Sequence, residues 1–397
     1  MTDRLYYNDP HVREFDATVL AIAERDGRTI VTLDRSAFYP TSGGQPFDTG
    51  TLGTARVVDV FDDEEGVVFH AVEGGSSLRA GDAVHGAIDW PRRFDHMQQH
   101  TGQHVLSAAF DHLFGVRTVS FHLGADVSTI DLAREVSARD LAAAEDEANR
   151  IVWEDHPVAI RYADAAEAAR MPLRKESKRG GELRLIDVDG FDLSACGGTH
   201  VTGTGAIGVI AVAAWERFKG GQRVELVCGG RALRRFRSMR DVSASAMRLL
   251  SVSAAELPEA IERLQADAKD QKRAMTALQT ELARYRAEEI AATAESTERG
   301  RLVLRAIDAD ANGLKTLATA IAARAGHVVV LVSTSTPMLV VVARSSDVAG
   351  VQANQVLAQL TAKFGGRGGG KPDLARGGGL AASAEQIFDA VRAAVRV

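Results

Sequence analysis

The chain has 397 residues, 45% hydrophobic and 25% charged, with 47 Lys+Arg against 53 Asp+Glu and two cysteines. That is the composition of a globular protein of two or three domains, and two cysteines exclude a disulfide framework. No run of 18 apolar residues is present and the opening MTDRLYYNDPHV has no apolar signal region, so a cytoplasmic protein without a membrane span is expected.

In chain order, residues 1–90 read as β. DATVLAIA, TIVTLD, ARVVDVF and GVVFHAV are short, β-branched and separated by Gly, Asp and Ser clusters, which suggests a small barrel or sandwich. From Trp90-Pro91 the pattern changes. RRFDHMQQHTGQHVLSAAFDHLFG predicts a helix closed by Gly115. Strand-like RTVSFHLG and VSTIDLA follow, then an Ala-rich acidic helix near 137–155. VAIRYAD, LRLIDV, IGVIAVAAWERF and QRVELVCG read as strands. Residues 91–240 therefore predict an α+β domain.

Residues 241–300 predict a long helical arm. No glycine lies between Gly230 and Gly300, and Leu257, Ile261, Leu264, Ala268, Gln271, Met275, Leu278, Leu282 and Tyr285 keep the 4-3 spacing of a coiled-coil seam. Pairing with a second copy is the expected use. Residues 301–397 read as an α/β domain, with HVVVLVSTST and MLVVVARS as strands and ANQVLAQLTAKF and AEQIFDAVRAAV as helices. Between those helices lies GGRGGGKPDLARGGG, with 8 glycines in 15 residues.

The net charge of −6 taken as a whole argues against a nucleic-acid partner, but it is unevenly spread. Residues 301–397 hold 11 Lys+Arg and 6 Asp+Glu, near +5, which leaves −11 for residues 1–300. Arg367 and Lys371 in the Gly-rich segment are candidate phosphate contacts, because glycine lets backbone N–H groups approach an anion. Arg174, Lys175, Lys178, Arg179 and Arg184 form a second basic run, either a solvated loop or a phosphate-tracking surface.

His100 and His104 are four apart on a predicted helix and project from one face. Cys196 and His200 are four apart in SACGGTH, where two glycines let the backbone fold back. One thiolate and three imidazoles suit tetrahedral zinc. His96 shares the face of His100 and His104, and spacing alone does not choose between the two HxxxH pairs. His70, His85, His112, His122 and His156 are scattered and read as ordinary.

FYPTSGGQPFDTG (38–50), QHTGQHVLSAAF (99–110), TVSFHLG (118–124) and SACGGTH (194–200) occur in one order, followed by QRVELVCGGRAL (222–233) and the Gly-rich C-terminal region. In these motifs the chain resembles the free-standing alanyl-tRNA editing proteins, long form, over nearly its whole length. The resemblance implies a β-barrel domain (1–90) with an SGGQ loop, a zinc editing domain (91–240), a connecting arm (241–300) and a tRNA-contacting domain of the DHHA1 type (301–397). It selects His100 and His104 over His96, completes one Zn2+ site with Cys196 and His200, and places Ser42, Gly43, Gly44 and Gln45 near the pocket. It implies Thr118 as a reader of the substrate hydroxyl. No aminoacylation domain precedes the barrel, so adenylate chemistry is not expected.

The implied reaction is trans-editing: hydrolysis of the ester in Ser-tRNA(Ala) or Gly-tRNA(Ala), sparing Ala-tRNA(Ala). Zinc there lowers the pKa of a bound water, polarises the carbonyl or positions the amino group. No carboxylate in the motifs stands out as a general base. Two competing readings are a zinc hydrolase of small aminoacyl esters and a tRNA-binding protein with structural zinc. A homodimer through the arm or the C-terminal domain is expected.

Overall fold

In a computed structural model the described residues are 2–25, 27–74, 78–174 and 181–396. Lys175, Lys178 and Arg179 lie outside them. The chain divides into two compact units, Met1–Ser245 and Ala246–Val397.

The first unit opens with a closed barrel. Its strands run Glu14–Arg25, Arg28–Leu33, Val68–Glu73, Ala55–Asp62, Gly50–Leu52 and Ala83–Ile88 around the ring, each antiparallel to its neighbours. Alternation puts Val19, Val31, Leu33, Leu52, Val57 and Val68 inside. Closure removes the free edges that an open sheet would expose.

The barrel hands over to the helix Trp90–Phe114. Asp89 caps it by accepting from Arg92 N, Pro91 stands in its first turn, and Gly115 ends it at φ 62°. The helix is buried almost continuously from His96 to Phe110. It packs between the helix Ala138–Glu154 and a four-stranded antiparallel sheet ordered Ile210–Phe218, Gly221–Cys228, Ser128–Leu132, Thr118–Leu123. A second, three-stranded sheet runs Val158–Ala163, Leu183–Val188, Asp192–Ala195. Gly102 sits at a close approach of helix and sheet, where a Cβ would collide with Cys228 Sγ. A glycine between two histidines thus has a packing reason.

The predicted single arm over 241–300 is instead two helices, Gly229–Leu250 and Leu257–Ala292. Ser251 at φ 54° breaks the first, and Pro258 stands in the opening turn of the second. The seam positions Ile261, Leu264, Met275, Leu278, Leu282 and Tyr285 are exposed, while the helix buries Ala260, Ala283, Ala287 and Ala291.

The second unit carries a six-stranded mixed sheet. Its order is Glu295–Thr297, Gly300–Ile307, His327–Ser333, Met338–Arg344, Leu374–Leu380, Arg367–Gly370, with one parallel pair. The Gly-rich segment between the last two predicted helices is a β-hairpin. Cβ atoms at Gly368 and Gly377 would press on the facing strand and on Leu357, so glycine lets the hairpin lie flat on the helix Ala353–Phe364.

Candidate metal centre

His100 and His104 stand one turn apart on the buried helix, as the spacing predicts. The CGGTH turn follows the strand Asp192–Ala195 and brings Cys196 and His200 against them. The four ligand atoms lie within 4.8 Å of one another. Cys196 Sγ is 3.3 Å from His100 Nε2 and 3.4 Å from His200 Nε2. The ring centroids of His100 and His200 are 4.4 Å apart, and those of His104 and His200 4.8 Å. Gly198 is required here, because a Cβ would run into the His100 ring.

Each imidazole has its other nitrogen engaged. His100 Nδ1 donates to Gln45 Oε1 at 2.9 Å, and His104 Nδ1 donates to Asp192 Oδ2 at 3.1 Å. His200 Nδ1 meets Thr101 Oγ1 at 3.2 Å. A metal-binding histidine is oriented in this way, with one nitrogen held and the other free to ligate. Bonds of about 2.0–2.3 Å from a tetrahedral zinc put its ligand atoms roughly 3.5 Å apart; the two Cys196 contacts match that spacing, and the whole set lies within 4.8 Å. The residues fit a zinc ion by donor type, geometry and outer support. His96 does not join the group; its Nδ1 is buried without a partner, and burial, helped by Arg92 and Arg231, lowers its pKa to about 4.

The electrostatics favour metal binding. Burial opposes ionisation of Cys196, but His100 and His200 beside it hold its thiol well below the ordinary range. Burial pushes the other cysteine, Cys228, up to about 12, so the two thiols are chemically opposite. Burial disfavours a charge on Asp192, yet His104 and Arg174 hold its carboxyl at about 2. Arg174 Nε reaches Asp192 Oδ1 at 2.6 Å.

A cavity of about 130 Å³ opens beside the cluster, lined among others by Gly43, Gln103, His104, Thr118, Phe121 and Cys196. At roughly 30 Å³ per water molecule, that is the space of a small amino acid. The SGGQ loop reaches it through a tight turn: Ser42 and Gln45 exchange backbone hydrogen bonds across Gly43 at φ 56° and Gly44 at φ 85°. Arg93, fully buried on the helix, pins this loop by donating to Asp48, Ala37 O and Pro10 O.

The sequence-predicted residues fall in different places. Gly43 and Thr118 line the cavity, and Thr118 Oγ1 donates to Ser107 Oγ at 2.8 Å. Ser42 and Gly44 shape the turn. Gln45 is buried and engaged by His100 and by Thr199, to whose Oγ1 its Nε2 donates at 2.8 Å. Arg184 holds the CGGTH turn by donating to the carbonyls of Cys196 and Gly198. Arg367 and Lys371 are exposed on the C-terminal hairpin. Sequence reasoning missed Asp192, Thr101, Gln103 and Ser107. It also missed the exposed arginines 234, 235, 237, 240 and 248 along Gly229–Leu250; the density of the first four between Gly230 and Asp241 was the available signal. Among the described residues no helix is long and apolar enough to cross a membrane.

Three family models match parts of the chain: tRNA synthetases class II (A) over residues 7–92, the threonyl and alanyl tRNA synthetase second additional domain over 183–225, and the DHHA1 domain over 299–397. Alanine–tRNA ligases of Methanothrix thermoacetophila and Pyrococcus abyssi are 35% and 33% identical over 100% and 95% of this chain, but the match spans only 45% and 42% of their own lengths. The alanyl-tRNA editing protein AlaX-L of Pyrococcus horikoshii is 30% identical over 98% of this chain and 97% of its own length. With the motifs matched from barrel to C-terminal domain, the chain belongs to the family of alanyl-tRNA editing proteins.

Proposed function

We propose that the protein is a zinc-dependent deacylase that hydrolyses Ser-tRNA(Ala), Gly-tRNA(Ala) or both and spares Ala-tRNA(Ala). The observation that carries this reading is the convergence of three oriented imidazoles on one acidic thiol, beside a cavity of amino-acid size. His100, His104, Cys196 and His200 would hold one zinc ion. When bound, zinc supplies Lewis acidity and a lowered pKa for a bound water. With four protein groups holding the ion, a water or substrate atom would have to bind beside them.

The chain's own residues do the rest. Gln45, Asp192 and Thr101 orient the ligands, Gly43 and Thr118 bound the aminoacyl group, and the small cavity limits water. The tRNA body is met by exposed cations, Arg367 and Lys371 on the hairpin and the arginines of Gly229–Leu250. A second copy covers the exposed seam of Leu257–Ala292 to give a homodimer; a monomeric mass in light scattering at micromolar concentration would count against this. The test of function is release of serine or glycine from charged alanine tRNA. The zinc-loaded protein should release either and leave alanine in place. Turnover of small aminoacyl esters that persists without residues 301–397 would favour a general esterase instead.

A further inference from the structure

We infer that Gln103 is the specificity-determining residue that accepts a hydrogen bond from the side-chain hydroxyl of a seryl substrate. The inference rests on the deacylase reading above and deepens it.

Gln103 lies between the ligands His100 and His104 and is only 2% exposed. Its Nε2 donates to Ser107 Oγ at 2.9 Å, one turn along the same helix. Ser107 Oγ also accepts from Thr118 Oγ1 at 2.8 Å. Both groups thus donate to Ser107. What remains is the Gln103 carbonyl oxygen, buried and without a partner. Gln103 and Thr118 both line the cavity that also holds His104 and Cys196.

A buried acceptor without a donor is unfavourable until something supplies one. Ammonium and hydroxyl groups are the donors on a seryl ester. A buried ammonium needs a counter-charge, which an uncharged amide does not provide. The nearby carboxylate of Asp192 is already taken by His104, Arg174 and Ser194. The neutral hydroxyl is therefore the match. Alanine would put a methyl group against the same oxygen and leave it unsatisfied. Glycine would leave room for a water. The order of acceptance is serine, then glycine, then alanine. In this arrangement Thr118 is a positioning residue, because its hydroxyl hydrogen is committed to Ser107.

The test uses the full-length zinc-loaded protein and adenosines carrying seryl, 2-aminobutyryl or alanyl groups through a 3′-amide that cannot be hydrolysed. The 2-aminobutyryl group replaces the hydroxyl by a methyl. Calorimetry on the wild type should show the seryl compound bound at least about 100-fold more tightly than the 2-aminobutyryl one, as a site built around a hydroxyl rejects the analogue lacking it. Gln103→Met keeps the length and removes the acceptor, and should bring the ratio below about 5-fold. Gln103→Asn withdraws the oxygen by one methylene and carries the same test if the Met variant melts early. Ser107→Ala, which frees the amide to turn, should give an intermediate ratio. A ratio unchanged in both Gln103 variants overturns the assignment and leaves Gln103 a packing residue. The same variants are assayed on Ser-tRNA(Ala) and Ala-tRNA(Ala). If the wild type releases serine and the seryl-to-alanyl preference survives Gln103→Met, only this inference fails. If the wild type releases nothing yet the amide ratio collapses as described, the deacylase reading fails and the hydroxyl contact stands.

Discussion

The four-ligand cluster and the helix Leu257–Ala292 use polar and apolar groups in opposite ways. In the cluster, polar side chains are buried, and most are fixed by partners from distant segments: Gln45 lies 55 residues before His100, and Asp192 lies 88 residues after His104. In the helix, charged side chains are solvated and the apolar seam faces outward, with Leu278 at 67% exposure. The cluster is over-determined by its own chain, whereas the seam is exposed to solvent. Substitutions should therefore be costly in the first region and almost silent, within one copy, in the second.

The largest effect after the ligands themselves belongs to Asp192. Asp192→Asn leaves a hydrogen-bonding group but removes the charge that fixes His104, and should cost about 10–100-fold in zinc affinity or deacylation. A titration with zinc at fixed pH reads it; wild-type affinity would show that the outer contact is passive.

The barrel sharpens the contrast with a buried histidine that stands outside the cluster. His70 lies between Ser36 Oγ and Val31 O, and burial lowers its pKa to about 4. An unfolded chain protonates this group near 6.5, so its contribution is complete above that pH and is lost as pH falls toward 4, by roughly 3 kcal/mol in all. Denaturant melts between about pH 7 and pH 5 should destabilise wild type more than His70→Gln, by about 2 kcal/mol. Equal losses would remove His70 from the acid sensitivity.

Packing around the ligand helix gives the next effect. Gly102→Ala should destabilise by about 1–3 kcal/mol through overpacking on Cys228. In a Cys228→Ala background the cost should shrink by more than half, because the two positions share one space. Additive losses would mean that strain lies elsewhere. The smallest effect is expected on the arm. Leu278→Glu should change the stability of a single copy by less than about 0.5 kcal/mol while dissociating a dimer held by the seam. A destabilised monomer would show that Leu278 is already covered.

The four-residue cluster was legible because an i, i+4 histidine pair shares a helix face and CGGTH is a tight glycine turn. The choice of His104 over His96 was not, since 96, 100 and 104 have the same period; it depends on which end of the helix the CGGTH turn meets. The outer partners were invisible, because nothing local in Asp192 or Thr101 announces contact with a histidine 88 or 99 residues away in the chain. The barrel's strands showed through their alternation. The C-terminal hairpin did not, because glycines carry no side chains to alternate. Pro258 was a readable sign that the arm is two helices, masked by the continuous apolar period that follows it.

The most direct measurement combines metal content with deacylation of Ser-tRNA(Ala) and Ala-tRNA(Ala), before chelation, after it, and after zinc is restored. The account predicts one zinc per chain, serine released and alanine spared, activity lost with the metal and regained with it, and neither metal nor activity in Cys196→Ala. Full serine release from metal-free protein, or from Cys196→Ala, would contradict it.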